Sequence, residues 1–86
     1  VTKDEIREVV FRVLGRIAPE ADLKAIDHHA SMRDQLDIDS VDFLNFAVGL
    51  NKELGVDIPD ADLPKLASLD GCVSYLLLRI DGSDSY

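Results

Sequence analysis

Ser40 stands in the run Asp37-Ile38-Asp39-Ser40-Val41-Asp42-Phe43, a hydroxyl set among three aspartates where a polar loop gives way to an apolar helix. Several chemistries use such a cluster, and most fail here for want of a partner. A nucleophilic serine needs a base and a strained turn to present it, but no histidine is fixed opposite Ser40 by a second helix and the G-x-S-x-G elbow is absent. His28 and His29 are adjacent, so their side chains diverge on most backbones, and no third histidine or second cysteine completes a metal set. Asp37-Ile38-Asp39 has the form of a calcium-loop start, but Val41 occupies a ligand position, Asp42 the turn-glycine position and Val48 the closing-glutamate position. Neither a metal site nor a catalytic site is expected. What remains is a serine at the mouth of a helix: a plain N-cap, in Asp39 or Ser40 itself, or a hydroxyl placed where unpaired first-turn N–H groups favour a phosphate ester. The residue types alone fit both.

The elements that must position this cluster are legible along the chain. Thr2-Lys3-Asp4-Glu5 has the form of a capping box, and Ile6, Val9, Val10, Val13, Leu14 and Ile17 follow at helical spacing. Ala18-Pro19 closes this first helix, because proline disfavours a helical conformation in the residue before it. From Ala18 to Asp39 runs a long segment without sustained period, expected to be a functional loop or to contain a short helix. The next helix begins at Asp39 or Ser40 and ends at Gly55, which tolerates positive φ. At about 100° per residue, Phe43, Leu44, Phe46, Ala47, Leu50 and Leu54 share a broad face assigned to the core, while Val41 and Val48 fall outside it beside Asn45 and Lys52.

Asp60 is expected to cap a short helical turn through Asp62, Leu63 and Leu66, with Pro64 limiting its length. Ser68 caps a last helix in which Leu69, Cys72, Val73, Leu76, Leu77 and Ile80 recur at three and four residues, and Gly71 marks close packing. No period-2 pattern and no internal repeat is present. The expected fold is all-α: a small four-helix bundle with a long loop between the first and second helices and a short third helix, over residues 1–80, then a flexible tail at 81–86.

Composition bounds what such a bundle does. Its 86 residues suffice for one small domain, with no room for a second. With 47% hydrophobic and 30% charged residues it is expected to fold as a soluble monomer, and no apolar run is long enough for membrane insertion. A single cysteine, Cys72, forms no internal disulfide, which fits a reducing, cytoplasmic setting. No basic segment followed by an apolar one opens at Val1, and an earlier leader stays open. The net charge of −8 is concentrated: Asp34, Asp37, Asp39, Asp42, Glu53, Asp57, Asp60 and Asp62 stand against Lys52 alone over residues 34–62. That segment repels nucleic acid and anionic membranes and attracts basic protein patches.

The stretches "LDIDSVDFLNFAVGLNKELGVDIP" and "DADLPKLASLDGCVSYLLLRI" together resemble the acyl carrier proteins. In that family an Asp-Ser-Leu motif opens the second helix and its serine carries 4′-phosphopantetheine. The motif corresponds here to Asp39-Ser40-Val41, and the order of the helices and of the "VDIPDAD" passage also agrees. Three residues of this form are a weak signal alone; within this order of elements they are strong. The resemblance implies that Ser40 receives the arm from coenzyme A through a phosphopantetheinyl transferase. The arm then holds an acyl group as a thioester, and chemistry occurs in partner enzymes with basic patches. It also implies that apolar residues of the bundle shelter the acyl chain. Phe46, Leu50, Leu66, Leu76 and Leu77 are candidate walls, and they are equally what a dry core requires.

Departures from the family pattern point to a specialised carrier. Asp37 replaces a frequent glycine, and positions commonly acidic in fatty-acid-synthesis carriers hold Asn45, Asn51 and Lys52, leaving Asp39, Asp42 and Glu53 negative. Partner contact is therefore expected through Val41, Asp42, Asn45, Val48 and Lys52, with weaker affinity for enzymes that read an acidic helix. The pathway stays open among fatty-acid, lipid and secondary-metabolite synthesis. An aminoacyl or peptidyl carrier, or a helical interaction module without the arm, are the alternatives.

Overall fold

The capping box forms as its sequence requires. In the computed structural model, which describes residues 2–82, Thr2 Oγ1 accepts from the Glu5 N–H and the Glu5 carboxylate accepts from the Thr2 N–H. Helix α1 runs Lys3–Ile17 from that cap and buries Ile6, Val10, Val13 and Leu14. The segment after Pro19 is not a bare loop. It holds a 3-10 turn, Leu23–Ala25, and a five-residue helix α2, Met32–Leu36, capped by Ser31. Met32 is fully buried in the core, and its N–H donates to the Ala67 carbonyl, stitching the segment to the bundle.

Helix α3, Ser40–Leu54, starts from Asp39 as N-cap and stops at Gly55, whose φ of 68° supplies the left-handed cap. Its buried side is narrower than the helical wheel implies. Phe43, Phe46, Ala47 and Leu50 are buried, but Leu44 is 46% exposed. Leu44 lies three residues from Val41 and four from Val48, one turn away in each direction, and so joins their exposed strip instead of the core. The 3-10 segment Asp60–Leu66 follows. Asp60 is its first residue and not its cap: Pro59 holds that position with no side-chain cap bond. Helix α4, Leu69–Leu77, is capped by Ser68 and continues into a single π-helical turn, Leu78–Gly82. The expected tail from Asp81 overlaps that turn, and residues 83–86 lie outside the described residues.

Helix α1 packs against both α3 and α4, and the Asp60–Leu66 segment packs against α4. The all-α bundle read from the sequence is thus the fold, with a 3-10 segment in the role of the short third helix. No described helix is long and apolar enough to cross a membrane. The approach of α1 to α3 is made through Gly49, where a Cβ would lie 2.6 Å from Val13 Cγ1. A valine on a helix holds one rotamer and cannot swing aside. Gly49→Ala therefore trades about 1 kcal/mol of helix propensity against roughly 1–3 kcal/mol of overpacking, and should lower stability in urea unfolding. In a Val13→Ala background the same change should stabilise, and equal effects in both backgrounds would refute the contact.

Candidate functional site

Ser40 is the first residue of α3 and is exposed. It does not cap the helix. Asp39 does, with Oδ1 accepting from the Asp42 N–H at 2.8 Å, so the capping role that the sequence left open between them falls to Asp39. The serine hydroxyl is left facing outward from a helix N-terminus, free of any structural duty toward the backbone.

Three residues upstream of Ser40 the chain reverses. Asp37 takes φ 54°, the left-handed region that aspartate tolerates better than most side chains. Its N–H and that of Ile38 both donate to the Arg33 carbonyl, while Ile38 is buried as an anchor. A glycine would take this φ without strain, which fits the departure from glycine noted at Asp37. The reversal brings Arg33 of α2 back against the serine: Nη2 donates to Ser40 Oγ at 3.1 Å, and the guanidinium carbon lies 5.8 Å from the Phe43 ring centroid. Sequence reasoning missed Arg33, because its proximity depends on a short helix and a turn that carry no periodic signal.

Beside this pair opens a cleft of about 420 Å³ lined by Ser31, Phe43, Leu63, Pro64 and Ala67 together with Arg33 and Ser40. A second cleft of similar size, by Ile17, Pro19, Leu36 and Ile38, does not reach Ser40. The candidate sheltering residues Phe46, Leu50, Leu66 and Leu76 are fully buried in the closed core, and Leu77 is partly buried packed against it. The Asp60–Leu66 segment that walls the cleft is tied to α4 by Tyr75, whose hydroxyl donates to Asp62 Oδ2 at 2.6 Å. Burial and that bond push the tyrosine pKa up to about 12, and the same bond holds the Asp62 carboxyl below its usual range.

The outer face of α3 carries Val41, Leu44 and Val48, with Asn45 and Lys52 exposed and Asp42 half-exposed. Two residues that the sequence counted into the charge pattern of this helix have other work. Asn51 donates to the Val56 carbonyl at 2.8 Å and fixes the turn after α3. Glu53 takes Arg12 at 2.7 Å and Arg16 at 3.7 Å across the α1–α3 junction, and the bond from Arg12 holds its carboxyl below the ordinary range. Apart from the paired Glu53, the acidic residue of α3 is Asp42, in its first turn.

Neither histidine nor cysteine adds chemistry. Exposed His29 sits 3.1 Å from Asp70, and His28 lends its carbonyl to the Asp70 N–H. Cys72 is fully buried, and burial pushes its thiol pKa up to about 12. Among the described residues no group of three or more His, Cys, Asp or Glu could hold a metal ion.

Residues 4–76 match the family model described as the phosphopantetheine attachment site. The chain is 32% identical to an acyl carrier protein of Petrotoga mobilis over 98% of this chain and 100% of that one. It is 32% identical to Polyketide-8 synthase acyl carrier protein 2 of Streptomyces avermitilis, over 91% and 84% respectively. A mitochondrial acyl carrier protein of Neurospora crassa is 30% identical over 94% of this chain, which spans 60% of that protein's length.

Proposed function

The chain belongs to the acyl carrier protein family, a carrier of covalent 4′-phosphopantetheine and not an enzyme, and from that premise we propose that Ser40 is the attachment point. The observation that carries the proposal is the exposed Ser40 Oγ at the head of a 15-residue helix whose capping is done by Asp39. The surroundings fit the group: a helix N-terminus and a guanidinium favour the phosphate, and the cleft offers Phe43, Leu63, Pro64 and Ala67 to the apolar parts of the arm. In the transfer, Ser40 Oγ forms the new O–P bond and the diphosphate P–O bond of coenzyme A breaks. Adenosine 3′,5′-bisphosphate leaves, and the serine proton passes to a base on the transferase. The bound arm supplies a terminal thiol that holds an acyl group as a thioester.

The cargo in this reading is an acyl intermediate of fatty-acid, lipid or secondary-metabolite synthesis, handled in the cytoplasm by a monomer. The acidic charge leans toward acyl over aminoacyl or peptidyl cargo. Partners meet the strip Val41, Leu44 and Val48 with Asp42 at one end and Asn45 and Lys52 along it. The pairing of Glu53 with Arg12 and Arg16 supports a specialised carrier, since enzymes that read an acidic second helix find little charge beyond the first turn. The closed packing of Phe46, Leu50, Leu66 and Leu76 makes sheltering of the acyl chain between them an induced event, with Leu77 at the margin.

The arm's thiol should be the single reactive one on the native protein. Cys72 is the only cysteine, and its burial keeps it protonated and inaccessible. Titration with a thiol-reactive disulfide reagent is expected to find no fast thiol on the native unloaded protein, one after incubation with coenzyme A and a transferase, and two once the loaded protein is unfolded. No gain of a fast thiol on loading would contradict the carrier reading.

A further inference from the structure

A phosphodiester on Ser40 would add its negative charge beside three aspartates, which the favourable groups at the site must offset. Asp37, Asp39 and Asp42 flank it along the chain, and the helix N-terminus that favours an anion already spends its Asp42 N–H on Asp39. The cation beside the site is Arg33, delivered by the left-handed turn at Asp37 and held with its guanidinium near the Phe43 ring. Its Nη2 donates to Ser40 Oγ at 3.1 Å. The unesterified oxygens of a phosphodiester lie two bonds from Oγ, so a donor already in contact with Oγ reaches them by side-chain rotation alone. A guanidinium also presents two parallel N–H groups, the geometry that suits a phosphate.

We propose that Arg33 is a positioning residue that clamps the phosphodiester of the arm, offsetting the three aspartates and steering the arm along the cleft lined by Phe43, Leu63, Pro64 and Ala67. This inference rests on Ser40 as the attachment point. In the unloaded protein the same guanidinium holds the hydroxyl; in the loaded protein it holds the diester. A structural role alone, such as covering Phe43, would matter equally in both forms.

That difference is measurable. Melting temperatures of unloaded and loaded protein are compared for wild type, Arg33→Gln and Arg33→Lys, with loading checked by intact mass. Arg33→Gln is expected to lower the loaded form more than the unloaded one, the excess being on the order of a few degrees and shrinking at high salt. Arg33→Lys should recover part of it. The 31P resonance of the diester should move in Arg33→Gln and stay put in Arg16→Gln, a control on an exposed arginine paired elsewhere. Equal losses in the two forms, with an unmoved 31P resonance and normal loading, would overturn the clamp and leave the attachment site intact. Failure of the wild type to gain the arm on Ser40 would overturn both.

Discussion

Ser40→Ala should give a protein that folds and cannot be loaded. The substitution removes the only nucleophilic atom of residue 40, so incubation with coenzyme A and a phosphopantetheinyl transferase should leave the mass unchanged, a complete loss rather than a slower rate. Its effect on stability should be small. Ser40 does not cap α3, the cap at Asp39 stays, and the lost hydrogen bond from Arg33 lies at the surface. The cost should not exceed about 1 kcal/mol, the scale of one exposed hydrogen bond or cap. Thermal unfolding read beside the mass separates the two roles. Loading that persists in the variant would move the site elsewhere, and a large loss of stability would make Ser40 a structural residue.

The opposite pattern is expected at Leu50, which is fully buried on the inner face of α3. Leu50→Ala should cost roughly 2–5 kcal/mol, combining lost transfer energy with the cavity left behind. For a domain of 86 residues that is a large share of a total expected near 4–13 kcal/mol. The urea midpoint should fall with the slope preserved. At low temperature, where the folded state still dominates, the variant should load at Ser40, since the serine and its cap are untouched. Leu77→Ala should cost less than Leu50→Ala, because Leu77 is only partly buried. A cost at Leu50 within the range of surface substitutions would mean that the core has been misplaced.

Much of this architecture could be read from the chain because its signals are local. The Thr2 capping box, the glycine stop at Gly55, the Ser68 cap and the three- and four-residue spacing from Leu69 to Leu76 each act within one or two turns. The serine cluster was legible for the same reason, since a cap and the residue after it are neighbours. What escaped was set by tertiary placement. Helix α2 has five residues, too few for a period to register, although Ser31 before Met32 is a cap signal. Arg33 meets Ser40 only because Asp37 turns the backbone left-handed. The wheel placed Leu44 inside because it lies at the edge of the apolar face, about 60° from Ala47 but only about 40° from Val48, and burial depends on how wide a face the neighbouring helices cover. Asn51 and Glu53 were read as surface charge pattern, whereas one holds a turn and the other joins two helices.

The account depends most on one residue bearing the arm, and the sequence makes that directly measurable. Cleavage after Arg33 and Lys52 releases residues 34–52, a peptide in which Ser40 is the only serine. After loading from coenzyme A, this peptide should gain the mass of one phosphopantetheinyl group, with fragment ions placing the gain on Ser40. An unmodified 34–52 peptide, or the same mass on a peptide carrying Ser31, Ser68 or Ser74, would contradict the central claim.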